Sequence, residues 1–230
     1  MSKSRRLTRL CYEALKIDLI RNYFCWMRFQ FKKGNIRVFK AIGDEVGKET
    51  IEHNMGALSN RAAYGMGSRM ALLLYPLAAL VRDIEQPKVL IVGPRTEDDI
   101  FWARSLGMLD ARGLDLFSYS PMIDIGDMHA TNYATAEFDA VILGWVVSYS
   151  SAPSVLLQEC QRILKPGGYL GFGIESNPEL RATGEVKPPR ANPLNSARDI
   201  AALTTANIVF IHDPLLEIPT DNAVILKLAD

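Results

Sequence analysis

Long apolar runs are missing from this chain of 230 residues. The longest, Ala71 to Val81 (ALLLYPLAALV), is too short to cross a hydrocarbon layer of ~30 Å. Cysteine is scarce. Cys11, Cys25 and Cys160 are three residues with no metal-ligand spacing. An odd, sparse set excludes a disulfide framework, gives no structural metal site and points to a reducing compartment, with all three read as buried thiols. A secretory leader is not expected, because Glu13, Lys16, Asp18 and Arg21 interrupt the early apolar residues. A cytoplasmic location follows as the expectation. No nucleic-acid motif is present.

Net charge is missing too: 26 Lys and Arg balance 26 Asp and Glu. The balance hides an asymmetry. Residues 1–40 hold eleven basic and two acidic side chains, 11 − 2 = +9, and the rest of the chain carries 15 − 24 = −9. A basic arm on an acidic body suits an anionic partner such as lipid head groups, which would make the protein membrane-peripheral, phosphorylated substrate or RNA. The favoured alternative is that the arm folds back on its own body or on a second subunit, since Tyr23, Phe24, Trp26, Phe29 and Phe31 lie among the charges and need burial.

What is present is ordinary globular composition, 48% apolar and 23% charged, enough for one domain with an extension. Residues 1–86 read as a helical, basic extension and 87–230 as an α/β domain. In the extension, Leu7, Leu10, Leu15, Ile17, Leu19 and Ile20 give a rough helical period over 7–31, with Gly34 at the end. A second helical region spans about 50–83, kinked or split by Pro76. The string Tyr64 to Arg69 falls there, so its G-x-G is read as helix packing.

From Lys88 the period changes. Val89-Leu-Ile-Val92 is the continuous run of a strand covered on both faces. Thr96 and Asp99 begin a helix that ends near Gly107. Strands follow at 111–116, 123–125 and 139–144. A helix over 153–164 is closed by Lys165-Pro-Gly-Gly168, then comes a strand at 169–174. A proline-rich loop at 178–193, a helix at 196–206 and strands at 208–212 and 223–228 complete the chain. This alternation predicts a doubly wound, seven-stranded, mostly parallel sheet. Ligands bind such sheets at the carboxyl ends of the strands, where strand order reverses.

The loop after the first strand keeps only one glycine, Gly93. A dinucleotide site needs G-x-G-x-x-G, but positions 93, 95 and 98 are Gly, Arg and Asp. Glu97, Asp98 and Asp99 load the helix start with negative charge, which repels a pyrophosphate and argues against a nicotinamide oxidoreductase. A cationic nucleoside without phosphate fits better. S-adenosylmethionine is one, with Arg95 available to its carboxylate and Glu97 to its ammonium. Asp115 lies 22 residues beyond Gly93, the spacing expected of a carboxylate that accepts from two ribose hydroxyls.

The series VLIVGPRTEDD, GLDLF, GDMHA, FDAVILGW and LKPGGYL resembles the class I S-adenosylmethionine-dependent methyltransferases, in particular their small-molecule branch. The resemblance covers about residues 87–228 and implies an antiparallel last strand. It also implies that Gly93, Pro94, Arg95 and Glu97 face the methionine part and that Asp115, followed by Leu116, holds the ribose. Asp127 would accept from the adenine amino group with Met128 beside the ring, and Gly144 and Trp145 would stand near the reacting methyl. A base helps if the acceptor is a hydroxyl, and His129, Glu175 and His212 are the candidates on the rim. Tyr149 and Trp145 would bound an acceptor pocket. Arg181, Lys187 and Arg190 in the proline-rich loop suggest an anionic small-molecule acceptor, for example a glycosidic or phosphorylated one. The loop's departure from the glycine pattern supports a competing expectation, a methyltransferase-like protein that binds or scaffolds without catalysis.

Overall fold

The protein is described here by a computed structural model, which covers residues 12–39, 51, 56, 58 and 69–229. Most of the helical region expected over 50–68, with Tyr64 to Ser68 and Cys11, lies outside the described residues.

A seven-stranded sheet has the order β5-β3-β2-β6-β7-β9-β8. Its strands are β2 (Lys88–Val92), β3 (Asp110–Asp115), β5 (Ile123–Ile125), β6 (Phe138–Gly144), β7 (Leu164–Ser176), β8 (Asn207–His212) and β9 (Thr220–Lys227). Only β9 runs antiparallel to its neighbours. Strand order reverses between β2 and β6, which pair with Val89 opposite Ala140. A two-stranded ribbon, β1 (Arg37–Val38) with β4 (Phe117–Ser118), lies beside the sheet.

Strand β2 is central because every residue from Val89 to Val92 is buried, so each face needs a cover. Val89 and Ile91 join one apolar cluster with α2 (Ala71–Leu80) and α3 (Asp98–Ser105). Leu90 and Val92 join the opposite cluster with α4 (Pro153–Ile163) and α6 (Ala197–Ala201). Each fully buried Leu or Ile in these layers contributes about 1.5–3 kcal/mol, so the two clusters supply most of the driving force. Helix α2 runs through Pro76 without splitting and covers the sheet directly. The proline-rich loop contains a short helix, α5 (Pro178–Thr183). Asn177 caps it by accepting from the amides of Glu179 and Leu180, and Pro178 suits the first turn because its missing N–H would have no partner there.

Helix α1 (Asp18–Lys32) differs most from the apolar period in the sequence. Ile17, Leu19 and Ile20 are exposed, and the buried stripe is Arg21, Cys25 and Phe29. Charge, not the apolar period, sets its orientation. Arg21 donates to Asp98 at 3.2 Å and to the Leu15 carbonyl at 3.0 Å, and it stacks over Trp102 at 4.3 Å. Among the described cysteines, Cys25 and Cys160 are buried free thiols. Burial pushes the Cys160 thiol up to about 12.

Candidate active site at the strand-order switch

The turn after β2 begins at Gly93, which has φ +69°. A side chain there would collide with the Cγ1 atom of Val146, so the bare α-carbon admits a protein side chain from the β6 end. Arg95 also adopts a left-handed conformation, φ +52°. The loop therefore keeps a backbone shape that glycine takes freely, at a cost of about 1–2 kcal/mol for arginine. Asp115 holds it in place: its carboxylate accepts from the Arg95 amide at 3.0 Å and from the Leu116 amide at 2.7 Å. Asp115 stands at the carboxyl end of β3, half-buried, and burial raises its carboxyl to about 6 against these amide donors.

Glu97 is placed differently from the expected ammonium contact. It is 0% exposed. Arg28 grips both of its oxygens, Lys32 approaches at 3.4 Å and the Ser120 hydroxyl donates at 2.5 Å. Burial alone would raise this carboxyl, but the hydrogen bonds from Arg28 and Ser120 and the charges of Arg28 and Lys32 hold it below its ordinary value. Glu97 is thus consumed in tying the basic helix α1 to the body.

Asp99 is the acid the sequence reading passed over. It is half-buried, and burial together with the neighbouring Asp98 raises it to about 7, although Arg21, Arg69 and Arg95 pull the other way. Burial likewise raises Asp98 to about 6, against Arg21. These shifts set a sign for pH dependence. The folded protein holds Asp98, Asp99 and Asp115 protonated to higher pH than the unfolded chain, where Asp titrates near ~3.9. Stability should therefore fall as pH rises from about 4 to about 7. Glu97 acts oppositely, and its contribution is lost only as pH falls below the ordinary Glu range. Melting temperature measured from pH 5 to 8 is expected to decline, with a shallower decline in Asp99→Asn. A flat or rising profile would contradict this assignment.

At the end of β6, Gly144 lies under Met70, whose Sδ would be 2.8 Å from an added Cβ. Trp145 follows with φ +58°, a costly conformation for so large a residue. Its ring packs on the bare face of Gly173, and its indole Nε1 is buried without a hydrogen-bond partner. Beyond it opens a cavity of ≈ 240 Å³ whose lining includes Arg69, Trp145, Tyr149, Glu175, Lys187 and Arg190. The Arg69 guanidinium lies 4.9 Å from the Trp145 ring centroid. Lys187 is paired with Glu179 and Glu185, whereas Arg190 donates to the backbone carbonyls of Glu175 and Leu194.

The three expected bases separate clearly. Glu175 lines the cavity. His129 has both ring nitrogens committed at 2.7 Å, Nδ1 with Asp127 and Nε2 with the Ser150 hydroxyl, so it staples the Asp127–Met128 loop to the β6 turn. His212 is exposed on edge strand β8, with β7 and β9 between it and β6, and does not line the cavity. Asp127 keeps 43% of its side chain exposed, and Met128 packs against the core beside it. No group of His, Cys, Asp and Glu among the described residues could hold a metal ion.

Residues 107–172 match a family described as a methyltransferase domain. Solved structures share the fold at low identity. One is a chain of the Haloferax volcanii complex between the Trm112 methyltransferase activator and a candidate methyltransferase. It is 15% identical, with a TM-score of 0.57, over 81% of this chain and 98% of that one. A candidate S-adenosylmethionine-dependent methyltransferase from Listeria monocytogenes is 15% identical with a TM-score of 0.52, over 70% of this chain and 100% of that one. The CurJ carbon methyltransferase is 10% identical with a TM-score of 0.52, over 80% and 59%. No curated protein matches. The sheet order is the fold these structures share, and residues 107–172 add the methyltransferase-domain match, so the chain is similar to S-adenosylmethionine-dependent methyltransferases.

Proposed function

We propose that this protein transfers a methyl group from S-adenosylmethionine to a small-molecule acceptor seated in the cavity beside Trp145. The carrying observation is position. The cavity lies at the carboxyl ends of β6 and β7, and β6 borders the strand-order reversal, with Asp115 ending β3 on the other side of β2. The residues present suit the cofactor. Asp115 would hold the ribose hydroxyls, and Asp127 the adenine amino group with Met128 against the ring. Arg95 would meet the carboxylate, and Asp99 would take the ammonium in place of Glu97, which Arg28 and Lys32 hold. Bound there, the cofactor supplies a methyl carbon made electrophilic by its sulfonium.

The protein's own part is approach, alignment and exclusion of water. Of the carboxylates lining the cavity, Glu179 and Glu185 pair with Lys187, and Glu175 would accept the proton of a hydroxyl or amine acceptor. Arg69 and Arg190 favour an acceptor with an anionic group, since Lys187 is already neutralised by its glutamates. With a labelled methyl donor, transfer is expected to carboxylated or phosphorylated members of a small-molecule library. Glu175→Gln should lower that transfer by about 10²–10⁴-fold while leaving S-adenosylhomocysteine binding intact. Unchanged transfer would remove Glu175 from the role of base.

A second reading, a binding protein without catalysis, is favoured by two specific contacts. Glu97 is locked by Arg28 and Lys32, and the bare faces of Gly93 and Gly144 are covered by Val146 and Met70. Failure to bind S-adenosylhomocysteine would select this second reading.

A further inference from the structure

Helix α1 is amphipathic in reverse. Its inward face spends Arg21, Arg28 and Lys32 on Asp98 and Glu97. Its outward face is apolar: Leu19 is 73% exposed, Tyr23 50% and Phe31 81%, with Ile20 at 42% and Ile17 at 56% beside them. Leu19, Tyr23, Met27 and Phe31 recur every four residues and so form one stripe along the helix. Met27 is half-exposed. Because the ion pairs fix which way α1 faces, this stripe cannot roll inward without leaving Glu97 and Asp98 buried and unpaired. A contiguous apolar strip of this kind marks an interaction surface.

Charge identifies the occupant. Within the arm the acids are Glu13 and Asp18, and they are taken up by Lys16 and Arg21. Lys33 bonds only to Gln30, and Arg37 to the Ser120 carbonyl, so neither has a carboxylate partner among the described residues. In sequence, Lys3, Arg5, Arg6 and Arg9 precede the stripe with no acid among residues 1–12. A second copy of this surface would bring cations against cations. Nucleic acid would leave the apolar stripe uncovered. An anionic lipid surface satisfies both features, since an interfacial helix sinks its apolar side ~5–10 Å into the headgroup boundary while Lys and Arg meet the headgroups. Tyr and Trp are the aromatics enriched at that depth, and Tyr23 and Trp26 lie on this helix.

We propose that α1 seats the protein on an anionic membrane surface by its outward stripe Leu19–Tyr23–Phe31. The test is flotation of the full chain with phosphatidylserine-containing vesicles and with pure phosphatidylcholine vesicles. Binding is expected only with the former and should weaken as salt is raised. The double variant Leu19→Ser, Phe31→Ser should bind those vesicles at least about tenfold more weakly. Both positions are solvent-exposed, so its melting temperature should match the wild type. Absence of wild-type flotation, or equal flotation of the variant, would overturn the proposal. So would concentration-dependent dimerisation in sedimentation that the variant abolishes, which would assign the stripe to a second copy.

Discussion

Asp115→Asn is expected to abolish the thermal shift produced by S-adenosylhomocysteine while leaving the ligand-free protein as stable as the wild type, or more so, at pH 8. Two effects separate in this variant. A buried carboxyl raised to about 6 is ionised at a cost at pH 8, so removing its charge does not harm the fold. The amide oxygen can still accept from one of the Arg95 and Leu116 amides, and the loss of the other hydrogen bond offsets part of that gain. Ligand binding, in contrast, loses a charged acceptor for the ribose hydroxyls. Hydrogen bonds to charged groups are each worth about 1.5–3 kcal/mol, so affinity should fall by about a hundredfold or more. The stabilisation read in a melt follows RT ln(1 + [L]/Kd) and would drop below detection at a ligand level that shifts the wild type clearly. An Asp115→Asn shift equal to the wild-type shift would remove Asp115 from the cofactor site.

The second large effect is on stability. Arg28→Met should cost about 3 kcal/mol, because Glu97 remains buried with only Lys32 and Ser120 to meet its charge. At roughly 2–4 °C per kcal/mol for a chain of this size, the melting temperature should fall by about 6–12 °C. The double variant Arg28→Met, Glu97→Gln should recover much of that loss, since most of the cost lies in the orphaned charge and not in the missing contact. Equal melting temperatures for the single and double variants would show that the pair does not hold α1 to the body.

The sheet was legible in the sequence because its signals are local. Val89 to Val92 form a continuous apolar run and Asp115 closes β3, while Asp127 follows the end of β5 by two residues and Lys165-Pro-Gly-Gly168, expected to close a helix, lies in β7. Most strand boundaries moved by a residue or two, but β7 begins at Leu164 where 169 was expected, α6 ends at Ala201 where 206 was expected and β9 begins at Thr220 where 223 was expected; α5 was hidden because Pro178 reads as a loop residue while also fitting a first helical turn. The arm was legible only in its charge. Folding back was expected because its aromatics need burial, yet Tyr23, Phe24 and Phe31 are exposed and Phe29 is buried; what ties the arm to the body is Arg21–Asp98 and Arg28–Glu97. Its orientation was misleading because apolar periodicity assumes that the apolar face is buried, and in α1 buried ion pairs decide otherwise. The site was half legible. Asp115 and Glu175 stand where strand ends put them. The fates of Glu97 and His129 depended on partners 69 and 21 residues away in sequence, and nothing near either residue signals them. Of the three consecutive acids, Glu97 and Asp98 are tied to α1 by Arg28 and Arg21, a difference from Asp99 that adjacency in sequence does not signal.

The most direct measurement is calorimetric titration of the wild-type chain with S-adenosylhomocysteine at neutral pH, with NAD as the control. Saturable one-to-one binding of the first and none of the second is the expected result. It would show that a turn carrying Arg95 and Asp98 at two of the three glycine positions still serves the cofactor. No heat from S-adenosylhomocysteine, with the protein folded by its melting curve, would contradict the methyltransferase reading and leave a protein that keeps the fold without the cofactor.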